Sequence, residues 1–215
     1  MVEHQPSKLD TWVRFPSPAY FLPKNLILAN NFFFFSFPYP LILSYFLLLF
    51  HIYKQKQDHN MKIKFDKLII SILIPLAVGQ ISALLTRSSA DTYAMLSKSP
   101  LSPPGVVFPI VWTILYILMG ISCYLIITSG NENTKNALTW YALQLVLNFF
   151  WSLIFFNLHF YLFAFIWLLL LIVTIIIMII KFYKINPLAA YLQIPYLLWC
   201  IFAAYLNFSI YLLNK

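Results

Sequence analysis

Gln144, Asn148, Trp151 and Phe155 stand four, three and four residues apart within one apolar run. That spacing puts two amides and two aromatic rings on a single helical face. Trp112 and Tyr116, at i and i+4, share a second face, and Tyr196 and Trp199, at i and i+3, share a third. The chemistry open to such a set is neutral. Rings can stack on a flat apolar surface, an indole N–H can reach a polar edge, and amides can donate and accept. The amides serve equally well as hydrogen-bonding glue between membrane helices, and the aromatic pairs as packing or interfacial belt residues. Depth separates the two indoles from a belt: Trp112 lies about a turn and a half into its run and Trp199 about three turns. Two deep indoles can sandwich a planar apolar molecule.

The elements that must position these side chains follow from composition. Hydrophobic residues make up 62% of the 215-residue chain and charged residues 9%, too few charges to cover a water-soluble surface. The chain reads as an all-α, multi-pass integral membrane protein, since runs of about 20 apolar residues satisfy their backbone as helices. Five spans are expected, over 68–86, 105–128, 137–157, 160–180 and 188–213. The link around Leu158 and His159 is so short that the third and fourth spans must be antiparallel neighbours. Pro103 and Pro104 suit the first turn of the second span, where their missing N–H groups would be unpaired anyway. Gly79 and Ala83 form a small-xxx-small pair on the first span, a pattern for close helix contact or a homodimer.

No Asp, Glu, Lys, Arg or His falls within these spans. That argues against ion-coupled transport and removes the usual general acids and bases from the interior. The buried polar groups expected instead are Gln80, Gln144, Asn148, Gln193 and Asn207. No nucleotide loop, catalytic triad or metal-spaced cluster is visible in the sequence. Cys123 and Cys200 both lie in apolar runs and read as buried packing residues. The net charge of +8 resides in the connectors, so it implies no nucleic-acid partner. Lys62, Lys64, Lys67, Lys135, Lys181 and Lys184 fall on one side of the membrane, with Arg87, Lys98 and Lys215 on the other. The excess places the N-terminal side in the cytoplasm. Residues 1–60 read as an N-terminal extension, either an over-extended start ahead of Met61 or an extra hydrophobic segment near Leu41–Tyr53. The membrane domain then occupies 61–215.

Several stretches occur in an order that resembles the translocator protein family, also called tryptophan-rich sensory proteins or the peripheral benzodiazepine receptor family. They are Tyr93-x-x-Leu96-x-Lys98, Pro103-Pro104, FPIVWTILYILMG from Phe108, QLVLNFFWSLIFF from Gln144, NPLAA from Asn186 and IPYLLWCIFAAYLN from Ile194. The resemblance implies a five-helix bundle, often dimeric, with a pocket between helices closed by the first connector. It implies binding of tetrapyrroles such as protoporphyrin IX, with no cofactor required, and in some members sterols. The residues it places at the ligand are Tyr93, Trp112, Asn148, Trp151 and Trp199, to which the shared helical faces add Tyr116, Gln144 and Tyr196 as candidate ligand residues. Trp112 and Trp199 match the two tryptophans that bacterial members link to light- and oxygen-dependent porphyrin breakdown. Whether that amounts to an enzyme is left open. A carrier of sterols or other apolar metabolites, and a regulator that senses porphyrin stress, are the alternatives. A bacterial cell membrane is the expected location.

The chain departs from the family pattern in its first connector. Thr92, Ser99, Leu101 and Val106 stand where Trp, Pro, a large aromatic and Trp are usual, so the lid carries fewer rings. Trp167 occupies the position of an acidic residue in animal members. Leu206, Tyr211 and Lys215 fit a loose sterol-contact pattern that is common by chance.

Overall fold

The computed structural model describes residues 64–89 and 95–215. The readings of residues 1–60, of Met61 and of Tyr93 lie outside the described residues. Helix α1 spans Phe65–Leu85, α2 Val107–Ile127, α3 Thr134–Ser152, α4 Tyr161–Ile185, α5 Pro187–Tyr191 and α6 Ile194–Leu213. A π-helical turn, Leu153–Asn157, prolongs α3. With α5 and α6 as two pieces of one crossing, five segments among the described residues are long and apolar enough to span a membrane. The all-α, multi-pass architecture read from composition is the one observed.

Sidedness is the reverse of a soluble protein. Leu73, Leu84, Ile110, Ile114, Val146, Phe150, Ile166, Leu170, Leu198 and Ile201 face outward, whereas Gln144, Asn148, Gln193 and Asn207 are buried. Lipid solvates the first group, and only other helices can satisfy the second. Gln80 corrects the expectation that it is buried: it is exposed. The buried residues of α1 are Ser71, Pro75 and Ser82, and Gln80 falls on a different side of that helix.

Local chemistry sets the element ends. The Asn186 side chain accepts from the Leu188 N–H and Pro187 fills the next position, which starts α5. Pro195, in the first turn of α6, has no N–H for the ladder, and the fifth crossing is broken just ahead of it, between Tyr191 and Ile194, instead of running straight from 188. His159 turns the chain between the third and fourth crossings with a φ of 55°, a left-handed conformation that His tolerates better than most residues. The third and fourth crossings are close neighbours, as the short link requires. Pro103 and Pro104 lie before α2 and not in its first turn. The Val107 N–H bonds to the Pro104 carbonyl, so the prolines form the turn that leads into the helix. Helix α4 runs past Ile180 to Ile185 and carries Lys181 and Lys184 on its last turns.

Two glycines bring α1 against α2. A Cβ on Gly120 would fall on the Ile72 backbone and the Ser71 carbonyl oxygen, and one on Gly79 would overlap the Tyr116 ring. Pro75 cannot donate to that same Ser71 carbonyl, so α1 presents a carbonyl freed from its helix at the close approach. The Gly79 signal thus reports contact within the chain. Helix α4 backs onto both α3 and α6. Helix α6 meets α2 and α3 mainly through long side chains, and the candidate site fills the space between those three.

Candidate functional site

The α2 contribution is a stripe of Phe108, Trp112 and Tyr116, each one turn from the next. Trp112 stacks on Tyr116 with ring centroids 5.4 Å apart and 29° between planes. It also meets Tyr196 of α6 edge-on at 6.2 Å. Trp199, one turn further along α6, meets Phe108 edge-on at 5.9 Å and Phe202 at 5.7 Å. The two indoles are therefore staggered along facing helices, with Phe108 and Tyr196 as the rings they touch across the gap. Both indoles are half-buried.

Beneath the rings lies a chain of buried hydrogen bonds. The Tyr116 hydroxyl donates to Asn148 Oδ1 at 3.0 Å. Asn148 Nδ2 donates to the Tyr196 hydroxyl at 3.2 Å, and that hydroxyl donates to Gln144 Oε1 at 2.9 Å. The chain Tyr116–Asn148–Tyr196–Gln144 joins α2, α3 and α6, and every member is buried. Each helix contributes through a periodic buried face: 141, 144, 145 and 148 on α3, and 196, 200, 203 and 207 on α6.

Trp151 belongs to a second cluster. It stacks on Phe155 at 5.4 Å, and its Nε1 donates to Asn207 Oδ1 at 3.3 Å. Asn207 Nδ2 in turn donates to the Tyr161 carbonyl oxygen at 2.8 Å. The π-helical turn directly follows this cluster; such turns often occur beside functional sites. Sequence periodicity carried no signal for it. Trp167 donates its Nε1 to the Leu147 carbonyl oxygen of α3 at 2.9 Å.

The first connector is tied down at the far end of α6. Ser97 N–H donates to Asn214 Oδ1 at 3.0 Å, and Asn214 Nδ2 donates back to the Ser97 carbonyl at 2.9 Å. The Ser99 and Tyr205 hydroxyls share a hydrogen bond of 2.8 Å. Tyr205 stacks on Phe202, and Phe202 touches Trp199. Ser99, a departure from the family pattern, thus gains a partner that proline could not supply. Leu101 and Val106, the other departures, are exposed.

Of the residues singled out from sequence, Trp112, Tyr116, Gln144, Asn148 and Tyr196 come together, with Trp199 one turn away. Trp151 lies in the neighbouring cluster. Phe108, Phe202, Asn207, Ser99 and Tyr205 complete the surroundings without having been chosen as ligand residues. Asn207 and Tyr196 share the α6 buried face, which was the available signal for Asn207. A surface cavity of about 580 Å³ lined by Asn131, Glu132, Lys135 and Ala142 lies at the α2–α3 connector, away from the indoles. It is open and unrelated to the aromatic stripes.

Among the described residues, five apolar crossings around an uncharged interior of rings, hydroxyls and amides define a multi-pass helical membrane protein. Residues 71–213 match the TspO/MBR family, and the chain belongs to that family. It is 39% identical over 149 residues to the tryptophan-rich protein TspO of Archaeoglobus fulgidus, covering 69% of this chain and 97% of that protein. It is 37% identical over 150 residues to the tryptophan-rich protein TspO of Chlorobaculum tepidum, covering 68% of this chain and 95% of that protein. It is also 36% identical over 126 residues to the translocator protein of Ovis aries, covering 57% of this chain and 75% of that protein.

Proposed function

We propose that this protein binds a planar tetrapyrrole, of the protoporphyrin IX kind, between α2 and α6. The observation that carries this reading is the pair of staggered half-buried indoles, Trp112 and Trp199, on facing stripes of rings. A macrocycle entering between them exchanges ring-on-ring contacts for its own faces, and affinity comes from aromatic contact and apolar burial. Tyr116, Asn148, Tyr196 and Gln144 offer neutral hydrogen bonds to its polar edge. The propionates point to the connector end, where Lys98 is half-exposed. Membership of the TspO/MBR family is consistent with a tetrapyrrole ligand.

Light-driven breakdown of the bound pigment would use excited porphyrin and oxygen, with an indole as electron partner; that route needs no acid–base side chain in the interior. The test is a side-by-side titration of the reconstituted protein with protoporphyrin IX, haem and cholesterol. Saturable, tight binding of protoporphyrin supports the reading. Saturable binding of cholesterol alone replaces it with an apolar carrier.

A further inference from the structure

Inward of the tyrosines the interior holds polar atoms that find no partner among the described residues. Gln144 Oε1 accepts from the Tyr196 hydroxyl, but its Nε2 has no hydrogen-bond partner among the described residues. Gln193 is fully buried, and neither its Oε1 nor its Nε2 is paired with any described residue. Among the described residues the Tyr141 hydroxyl has no oxygen or nitrogen partner, only the weakly bonding Cys123 thiol beside it. Nearly all buried polar atoms in folded proteins are paired, so a group of such orphans requires a cause.

These atoms share one level of the bundle. Gln193 is three residues before Tyr196 and in phase with the α6 buried face. Tyr141 and Gln144 lie on the α3 buried face, inward of Asn148. The two helices run in the same direction across the membrane, and Tyr196 is bonded to both Gln144 and Asn148. One turn inward on α6 therefore sets Gln193 level with Tyr141 and Gln144. Gln193 is also the N-cap of α6, and its side chain caps nothing. The positive end of a helix of 20 residues thus faces this level, which favours a group that brings lone pairs.

We infer that Gln193 and Gln144 form a second polar subsite in the inner half of the domain, which takes the lactam or secondary-amide edge of a planar apolar ligand. A primary amide and a lactam match edge to edge. Gln193 Nε2 donates to the lactam carbonyl, and Gln193 Oε1 accepts the lactam N–H. Gln144 Nε2 supplies a second donor to the same carbonyl. A carboxylate fits less well, because it would oppose Oε1 and find no Lys or Arg at this depth among the described residues. The inference rests on the interior being a ligand chamber, and not on the ligand being a tetrapyrrole.

The probe is 2-quinolone, a flat aromatic lactam, compared with N-methyl-2-quinolone, which keeps the carbonyl and loses the N–H. Equilibrium dialysis against the protein in nanodiscs should show about tenfold tighter binding of the N–H compound. Gln193→Leu should erase that preference. Because it replaces an unpaired buried amide with an apolar group of similar size, it should leave Tm unchanged or raise it. Equal binding of the two quinolones to the wild type overturns the subsite. So does a Gln193→Leu protein that loses stability and keeps the preference, since Gln193 would then be a paired structural amide. Protoporphyrin IX binding measured in parallel separates the two ideas. Failure of porphyrin with the lactam preference intact overturns only the tetrapyrrole reading, and the reverse result overturns only the subsite.

Discussion

The Tyr116 ring occupies the space that a side chain on Gly79 would need. Helix α1, whose lipid-facing surface carries no candidate site residue, thereby fixes the position of a tyrosine whose hydroxyl is bonded to Asn148. Gly79→Ala should push the ring and loosen the Tyr116–Asn148 bond, at a cost of about 1–3 kcal/mol for overpacking. Thermal unfolding in detergent, with porphyrin affinity alongside, measures both effects. Trimming the ring in the double variant Gly79→Ala/Tyr116→Leu should recover part of the packing loss. A Gly79→Ala protein with wild-type stability and affinity would break this link between α1 and the site.

Gly120 makes the companion case with a harder obstacle. A Cβ there meets the Ile72 backbone and the Ser71 carbonyl, neither of which can rotate away as a side chain can. Gly120→Ala should therefore cost more stability than Gly79→Ala while perturbing ligand affinity less, because it lies two turns from Trp112 on α2. Both variants measured in the same detergent give the ranking, and the opposite order contradicts it.

The Tyr116–Asn148–Tyr196 network should behave as a coupled unit. Asn148→Leu leaves two buried hydroxyls short of a partner, each at about 1–3 kcal/mol before relaxation. Hydrogen bonds between membrane helices couple more weakly than that, with an average near 0.6 kcal/mol and a maximum of about 1.7. A double-mutant cycle of Tyr116→Phe with Asn148→Leu should thus return roughly 0.5–1.5 kcal/mol. Strict additivity would mean that the bond contributes nothing measurable to the fold.

The crossings were legible in the sequence because a bilayer leaves the backbone few choices, and apolar length reports them directly. The inward faces of α3 and α6 were legible for the same reason that they work: Gln144 and Asn148, or Tyr196 and Cys200, recur at helical spacing. Three features were hidden. The partners of Asn148 depend on how far α2 and α6 stand from α3, which no local spacing encodes. The π-helical turn after Trp151 and the break ahead of Pro195 depend on how neighbours take up freed backbone groups. Gln80 was misplaced because amide chemistry suggested an interior position, whereas its helical phase relative to Ser71 and Pro75 faces it outward.

The connector is held by a two-way bond between Ser97 and Asn214 and by the Ser99–Tyr205 pair. Asn214→Ala and Ser99→Ala should each free the segment around Lys98. Trypsin cleavage after Lys98 should then accelerate several-fold, with about 1 kcal/mol of local opening energy removed per bond lost. Ligand on- and off-rates should rise together, leaving the dissociation constant nearly constant. Unchanged cleavage in the double variant would show that these bonds do not hold the connector.

The central claim is that a planar pigment lies between the two staggered indoles. Its most direct test is a protoporphyrin IX titration of the reconstituted wild type, Trp112→Phe and Trp199→Phe, read by pigment fluorescence in the dark and then under illumination. Each indole-to-phenyl change removes contact area and the N–H while leaving a ring. Affinity should fall about three- to tenfold in each variant, and light-driven bleaching should slow in at least one. If both variants bind and bleach protoporphyrin as the wild type does, the pigment does not lie between Trp112 and Trp199.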